Sequence, residues 1–185
     1  MIEVSELRRG TTFTMDGEMY RVLEYQHYKP GRGNAIIRTK LRNLRTGATI
    51  QHNFLSGERV EEIRIERRAV QYLYTDGDLY YFMDTETFDQ MALPAAMLEE
   101  EAPYLKEGLE LVIAVHDGNP LEVELPTAVE MAVTETEVAV AGDTATNVTK
   151  KATLETGLTV QVPLFVQAGD VIRVDTRTGA YVTRV

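Results

Sequence analysis

The sequence predicts an all-β protein of three small barrel domains, the first SH3-like and the next two OB-fold-like. Short segments of alternating apolar and polar residues recur between turn-prone residues along all 185 residues. The composition, 44% hydrophobic and 26% charged, is that of a folded globular chain. Only one short segment favours a helix. We place the domains at residues 1–64, 65–127 and 128–185.

Four strands are predicted in the first domain. Asp16-Gly17 separates residues 12–15 from residues 18–26, and this two-residue spacing is typical of a β-hairpin. Two further strands are predicted at residues 35–43 and 49–54. Short strands of this kind within about 60 residues suggest a strongly bent barrel of SH3-like type.

The third of these strands divides its side chains between two faces. Successive residues of a strand point to opposite sides of the sheet. One face therefore holds Ile37, Thr39 and Leu41. The other face holds three cations, Arg38, Lys40 and Arg42.

The second domain combines strands with one short helix. Pro94 suits the first position of a helix, and residues 95–102 are good helix formers that Pro103 brings to an end. Strands around one short helix suggest an OB-fold barrel. The predicted strands are residues 69–74, 79–84, 88–93, 109–115 and 121–125.

The third domain contains strands separated by glycines. Gly157, Gly169 and Gly179 lie between its apolar segments and mark turns. This pattern predicts a second OB-type barrel. The strands are predicted at residues 129–134, 152–154, 159–162, 171–175 and 181–184.

The net charge of −10 is unevenly distributed. Residues 1–64 carry 11 Lys/Arg against 8 Asp/Glu, whereas residues 65–128 carry 3 against 14. Residues 129–185 carry 5 against 7. A polyanion would be repelled by the middle third and accepted by the first. Solubility explains the acidic middle third equally well.

No catalytic or metal-binding pattern is present in the sequence. The two serines, Ser5 and Ser56, do not lie in a G-x-S-x-G motif. His27, His52 and His116 lack the spacing of metal ligands, and the chain has no cysteine. The sequence therefore predicts a protein that is not an enzyme and that holds no metal and no cofactor.

No apolar run approaches the about 18 residues that a membrane-spanning helix needs. The first residues lack the basic start and apolar run of a signal peptide. Together with the absence of cysteine, these features predict a cytoplasmic protein without a membrane contact.

The most informative segment joins residues 18–26 to residues 35–43. Pro30-Gly31 and Gly33-Asn34 are turn-prone pairs that leave Arg32 at the apex. Cations along this hairpin suit a phosphate backbone, since each neutralised phosphate releases a counterion. A solvated β-turn would explain the same residues, so both interpretations stay open at this point. The cations concerned are Lys29, Arg32, Arg38, Lys40 and Arg42.

Several segments resemble the bacterial elongation factor P family. Residues 25–35, YQHYKPGRGNA, are similar to the family's hairpin, where Lys or Arg stands at the apex. Residues 54–59 resemble its F-x-S-G-E segment. Residues 151–169, KATLETGLTVQVPLFVQAG, match its carboxyl-terminal signature. The resemblance extends over essentially the whole chain.

This resemblance implies a function as well as a fold. Family members form an L that imitates transfer RNA, bind the 70S ribosome between the peptidyl and exit sites, and promote peptide-bond formation at consecutive prolines. The partners it implies are the peptidyl-site tRNA and ribosomal RNA, and we expect a monomer. Carried over, the apex residue is Arg32 in a tRNA-contacting loop of Lys29, Pro30, Gly31, Arg32, Gly33 and Asn34, and the loop near the exit-site codon and small subunit is Gly142, Asp143 and Thr144. The expected RNA-backbone contacts, Arg38, Lys40 and Arg42, come from the charge pattern of the strand.

The resemblance also bears on chemical modification of the tip. In the lysine-tipped branch of the family the apex residue is lysylated, and in one arginine-tipped branch it is rhamnosylated. Here the apex is Arg32, but Pro30-Gly31 before it and Gly33 after it are similar to the lysine branch. We expect Arg32 to be unmodified or rhamnosylated by a tip-modifying enzyme, and not lysylated.

Three alternatives compete with this interpretation. One is an OB-fold RNA-binding protein without a ribosomal role, although four tyrosines lie in the acidic third, where a base-stacking platform would be poorly placed. Another is an elongation factor P-like paralogue with a different stall specificity. The third is a carboxylate-based hydrolase. The four tyrosines are Tyr72, Tyr74, Tyr80 and Tyr81.

Overall fold

A computed structural model of the protein describes residues 1–138 and 148–185. These residues form β-strands and a few single turns of 3-10 helix, with no α-helix among them, so the predicted all-β fold is confirmed. The strands fall into three sheets of six, five and five strands. No helical segment in the described ranges has the length and apolar character needed to span a membrane.

The first sheet is built around the predicted hairpin. Its turn residues Asp16 and Gly17 both have positive φ, 52° and 79°, as the tightest hairpin turns require. The strands are β1 (Ile2–Glu3), β2 (Thr12–Met15), β3 (Glu18–Tyr28), β4 (Ile36–Asn43), β5 (Thr49–Leu55) and β6 (Arg59–Glu62). Their order in the sheet is β1-β6-β2-β3-β4-β5.

Apolar side chains from all parts of this sheet form one core. Phe13 is fully buried at its centre, with ring centroids 6.0 Å from Phe54 and 6.1 Å from Tyr20. The alternation predicted for β4 places Ile37 and Leu41 in the core. The remaining buried members of the cluster are Val4, Leu7, Val22 and Val60.

The second sheet has the order β11-β10-β7-β8-β9, with β7 (Glu66–Thr75), β8 (Leu79–Asp84), β9 (Gln90–Pro94), β10 (Glu110–His116) and β11 (Asn119–Glu124). Residues 88–89 were predicted to begin a strand, and this prediction is wrong. The Phe88 N–H donates to the carbonyl of Asp84 at 2.9 Å, which closes a turn, and Phe88 has a φ of 63°. The strand consequently begins at Gln90.

The predicted helix at residues 95–102 is also absent. Two single 3-10 turns, Ala95–Met97 and Ala102–Tyr104, take its place. The backbone leaves helical geometry at Leu98, with φ −124° and ψ 18°, and that side chain is fully buried. A helix of two turns is marginal on its own, so two short 3-10 turns replace it.

The third sheet has the order β14-β13-β12-β15-β16, with β12 (Ala128–Thr136), β13 (Thr149–Leu154), β14 (Thr159–Pro163), β15 (Val171–Asp175) and β16 (Tyr181–Arg184). Its core contains fully buried Met131 and Ile172. Tyr104 and Leu109 pack against the same core.

By its contacts the chain divides into two compact units. The first comprises Met1–Arg67 with Ala114–Glu122, and the second comprises Arg68–Ile113 with Val123–Val185. The first sheet lies in the first unit and the third sheet in the second. The division into three domains at residues 64 and 127 stays a prediction.

Candidate nucleic-acid interface

The loop at residues 29–35 caps the longest hairpin of the first sheet. β3 has 11 residues and β4 has 8, and their pairing reaches Tyr28 opposite Ile36 at the base of the loop. β5 pairs with β4 over the same length, with Ile36 opposite Leu55. The loop is thus carried on hydrogen-bonded strands up to its first residue, and Arg32 is halfway along it.

Gly33 determines the local path of the loop. Its φ of +146° lies in the region that residues with a side chain rarely adopt. A Cβ at this position would lie 3.8 Å from Cγ of Pro30, so the conformation, not crowding, is what requires glycine. A rigid proline and a permissive glycine therefore flank the apex residue.

Both cations of the loop are exposed to solvent. Lys29 and Arg32 are exposed and make no hydrogen bond, ion pair or ring contact with the part of the chain that the structure describes. The Arg32 guanidinium therefore has all its donors available for a partner, and these can pair bidentately with a phosphate.

A ring contact holds a third cation just below the loop. The Arg38 guanidinium carbon lies 4.7 Å from the centroid of the Tyr28 ring, within the range of a cation–π interaction. Tyr28 is the last residue of β3, and Arg38 is the third residue of β4. This contact orients Arg38 towards the loop base without neutralising its charge.

Polar cross-strand rows continue from Arg38 along the exposed face of the sheet. Arg38 lies between Gln26 of β3 and Asn53 of β5. These three residues and Lys40 line an open groove of about 870 Å³. The sequence had indicated the strand cations but not the rest of this groove. The additional polar lining residues are Arg9, Glu24, Tyr25, Gln26, Thr39, Gln51 and Asn53.

Carboxylates partly balance the cations that lie further from the loop on the β3–β4 hairpin, which we call the ribbon. Lys40 Nζ lies 3.4 Å from Glu24 Oε1. Arg42 pairs directly with Arg21 across the two strands, an arrangement of like charges that destabilises a sheet. The Arg21 guanidinium is bound by Glu122 at 2.9 Å, which offsets that repulsion. Positive charge is consequently least compensated at the loop end of the ribbon.

A second set of contacts fixes the opposite end of the hairpin. The Glu18 carboxylate accepts hydrogen bonds from Arg45 Nε at 3.1 Å and from Asn43 Nδ2 at 3.2 Å. The hydrogen bond from Arg45 is the main reason why the pKa of Glu18 lies below its usual value. These contacts tie the turn after β4 to the start of β3.

A further group of predicted contact residues lies between β12 and β13 in the sequence. Gly142, Asp143 and Thr144 lie outside the described residues. Within those residues there is no group of three or more His, Cys, Asp or Glu side chains that could hold a metal ion.

The comparisons with known proteins cover the whole chain. Three family models match it: the elongation factor P KOW-like domain over residues 3–60, the elongation factor P OB domain over residues 65–123, and the elongation factor P carboxyl-terminal domain over residues 129–184.

Individual relatives agree with these matches. The chain is 51% identical over 184 residues to elongation factor P of Moorella thermoacetica, with 100% of both chains covered. Among solved structures it is similar to eukaryotic translation initiation factor 5A from Methanococcus jannaschii. That likeness has 25% identity and a TM-score of 0.53, over 66% of this chain and 92% of the other. An initiation factor 5A family protein from Naegleria fowleri shares the fold at 15% identity and a TM-score of 0.52, over 67% and 96% of the two chains.

Proposed function

Because the chain belongs to the elongation factor P family of translation factors, which act with the ribosome, we propose that it binds between the peptidyl and exit sites. There it promotes peptide-bond formation on ribosomes stalled at consecutive prolines. The observation that carries this proposal is the exposed Arg32 at the end of the β3–β4 ribbon, combined with family matches along the chain. These matches favour a ribosomal role over that of a general RNA-binding protein.

The proposed mechanism is positional. Proline has a fixed φ and lacks a free backbone N–H once incorporated, so it restricts both the nascent chain and the attacking residue. The Arg32 guanidinium binds the acceptor end of the peptidyl-tRNA and limits the geometries it samples. Orientation of reacting groups can contribute up to roughly 7–11 kcal/mol in favourable cases. Only about 2.7 kcal/mol of this would raise the rate a hundredfold.

The protein supplies no reacting group in this scheme. The ribosome provides the reaction centre, while Arg32 and Lys29 contact tRNA and Arg38, Lys40 and Arg42 contact RNA phosphates. Each contact is electrostatic and needs neither an acid nor a nucleophile. We therefore propose a factor that is not itself an enzyme.

Three further parts of the proposal concern regions beyond the ribbon. The chain divides into domains at residues 1–64, 65–127 and 128–185 and acts as a monomer. Residues 142–144 approach the exit-site codon and the small subunit. Arg32 is either unmodified or rhamnosylated.

The proposal is tested by the rate of synthesis of two short peptides on purified ribosomes. We expect the protein to accelerate a template with three consecutive prolines by about a hundredfold. A matched template in which alanines replace the prolines should proceed at the same rate with and without the protein. Equal acceleration of both templates would instead indicate a general effect on the ribosome, and no acceleration of either would refute the proposal.

A further inference from the structure

Two tyrosines on the second sheet form an exposed stacked pair. The rings of Tyr74 on β7 and Tyr81 on β8 are nearly parallel, with an interplanar angle of 20° and centroids 4.6 Å apart. Tyr81 covers one face of the Tyr74 ring, yet 54% of Tyr74 remains exposed. Large aromatic side chains exposed in this way are a feature of binding surfaces.

A β-bulge turns Tyr74 outward. Tyr72 pairs with Phe82, whereas Tyr74 pairs with Tyr81, so Leu73 is an extra residue on β7. Tyr72 and Phe82 are both buried. Without the bulge, strand alternation would point Tyr74 to the same buried side as Tyr72. Bulges of this kind often re-aim a side chain next to a functional site.

A carboxylate fixes the position of the supporting ring. Tyr81 Oη donates a hydrogen bond to Asp76 Oδ2 at 3.1 Å. The other oxygen of Asp76 accepts backbone N–H bonds from Leu79 at 2.8 Å and Asp78 at 2.9 Å. These backbone bonds hold the pKa of Asp76 below its usual value, so a negative charge persists beside the stacked rings.

The depression next to Tyr74 is also mainly acidic. Tyr74 lines it together with Tyr72 and Leu105, and its charged lining residues are Glu107, Glu155 and one cation, Lys106. Residues 65–128 carry 14 Asp/Glu against 3 Lys/Arg. A phosphate would be repelled from this surface, and a cation would be attracted to it.

We propose that Tyr74, supported by Tyr81, binds an arginine or lysine side chain of a basic protein partner. The negative face of an aromatic ring attracts a cation, and the surrounding carboxylates strengthen that attraction. Arginine fits best because its planar guanidinium stacks on a ring while its donors reach carboxylates. Proteins that bind RNA carry such exposed cations. This inference does not depend on the proposed action of Arg32.

A nucleic acid is the less suitable occupant. Base stacking on tyrosine needs no charge on the protein, but single-stranded nucleic acid brings a phosphate with each base, and single-strand sites are normally lined by cations. Here Asp76 and Glu107 would face those phosphates. A guanidinium and a nucleic-acid base would both stack on Tyr74, and the negative charge of the surface favours the guanidinium.

The test measures binding of a labelled hexa-arginine peptide to the full chain at low ionic strength by fluorescence anisotropy. We expect Tyr74→Ala to raise the dissociation constant about fivefold, the effect of losing one exposed cation–π contact. Tyr74→Phe keeps the ring and should bind like the parent. Phe165→Ala is the matched control, because Phe165 is 55% exposed but its ring is already in contact with a cation, the Arg184 guanidinium carbon 5.1 Å from its centroid.

Circular dichroism confirms that each variant is folded before binding is compared. Equal affinity of Tyr74→Ala and the parent would overturn the proposal, as would equal weakening by Tyr74→Ala and Phe165→Ala. Hexauridylate serves as the competing probe. If the parent binds it and Tyr74→Ala does not, the occupant is nucleic acid and the proposal is wrong.

Discussion

Arg32→Ala is expected to remove most of the acceleration of synthesis through three consecutive prolines. Arg32 is exposed and lies at the middle of the loop between β3 and β4, so its loss removes the guanidinium donors at the loop apex. If this contact supplies about 2.7 kcal/mol to the transition state, the rate falls about a hundredfold. Single-turnover kinetics on matched ribosomes measure this effect directly.

Two variants separate the role of the tip from that of charge in general. Arg32→Lys keeps the charge but loses the planar pair of donors, so we expect an intermediate rate. Arg59→Ala removes an exposed arginine from β6, which is not a neighbour of β4 in the sheet, and should retain the full rate. Retention of activity by Arg32→Ala would refute the loop mechanism.

Phe13→Ala is expected to have the largest effect on stability. Phe13 is fully buried, and its ring packs near Phe54 and Tyr20. Removing a buried phenylalanine side chain costs about 3–5 kcal/mol through lost burial and the cavity left behind. That is a large fraction of the about 5–15 kcal/mol by which domains are usually stable.

Hydrogen exchange followed by mass spectrometry resolves this loss along the chain. Amides of β2–β5 in Phe13→Ala should exchange faster by a factor on the order of a hundred or more, since each 1.4 kcal/mol corresponds to tenfold. Amides of β12 and β15 should change little. Phe88→Ala provides the control, because Phe88 is 69% exposed. Unchanged protection of β2–β5 would show that Phe13 does not support the first core.

The sequence predicted elements best where turn chemistry and side-chain alternation agree. Asp16-Gly17 has the residues that a two-residue hairpin turn needs, and the flanking strands begin and end there in the structure. In β4, alternation correctly separated buried Ile37 and Leu41 from exposed Arg38 and Arg42. Both signals are local, so a single sequence is enough to detect them.

Features that depend on pairing between distant segments were not predicted. The bulge at Leu73 depends on its alignment with β8 and leaves no clear pattern within β7. The pair formed by Arg21 and Glu122 joins residues 101 positions apart. Likewise, the groove residues Gln51 and Asn53 become significant only once β5 is placed beside β4. The predicted helix at residues 95–102 is interrupted at Leu98, whose side chain is fully buried, because a helix of two turns is marginal on its own.

The central claim is that the β3–β4 loop places its tip at the acceptor end of the peptidyl-tRNA. Because the chain has no cysteine, Gly31→Cys introduces a unique attachment point for an iron chelate that generates hydroxyl radicals. Gly31 does not have a positive φ, and a Cβ at this position meets no atom within 4 Å. We therefore expect the loop to tolerate the substitution, which also leaves Arg32 in place. Arg59→Cys serves as the control position.

The decisive measurement is the pattern of tRNA cleavage on ribosomes stalled at three prolines. The account predicts strong cleavage at the acceptor end of the peptidyl-site tRNA from position 31 and none there from position 59. Cleavage from position 31 confined to other RNA, or equal cleavage from both positions, would contradict it.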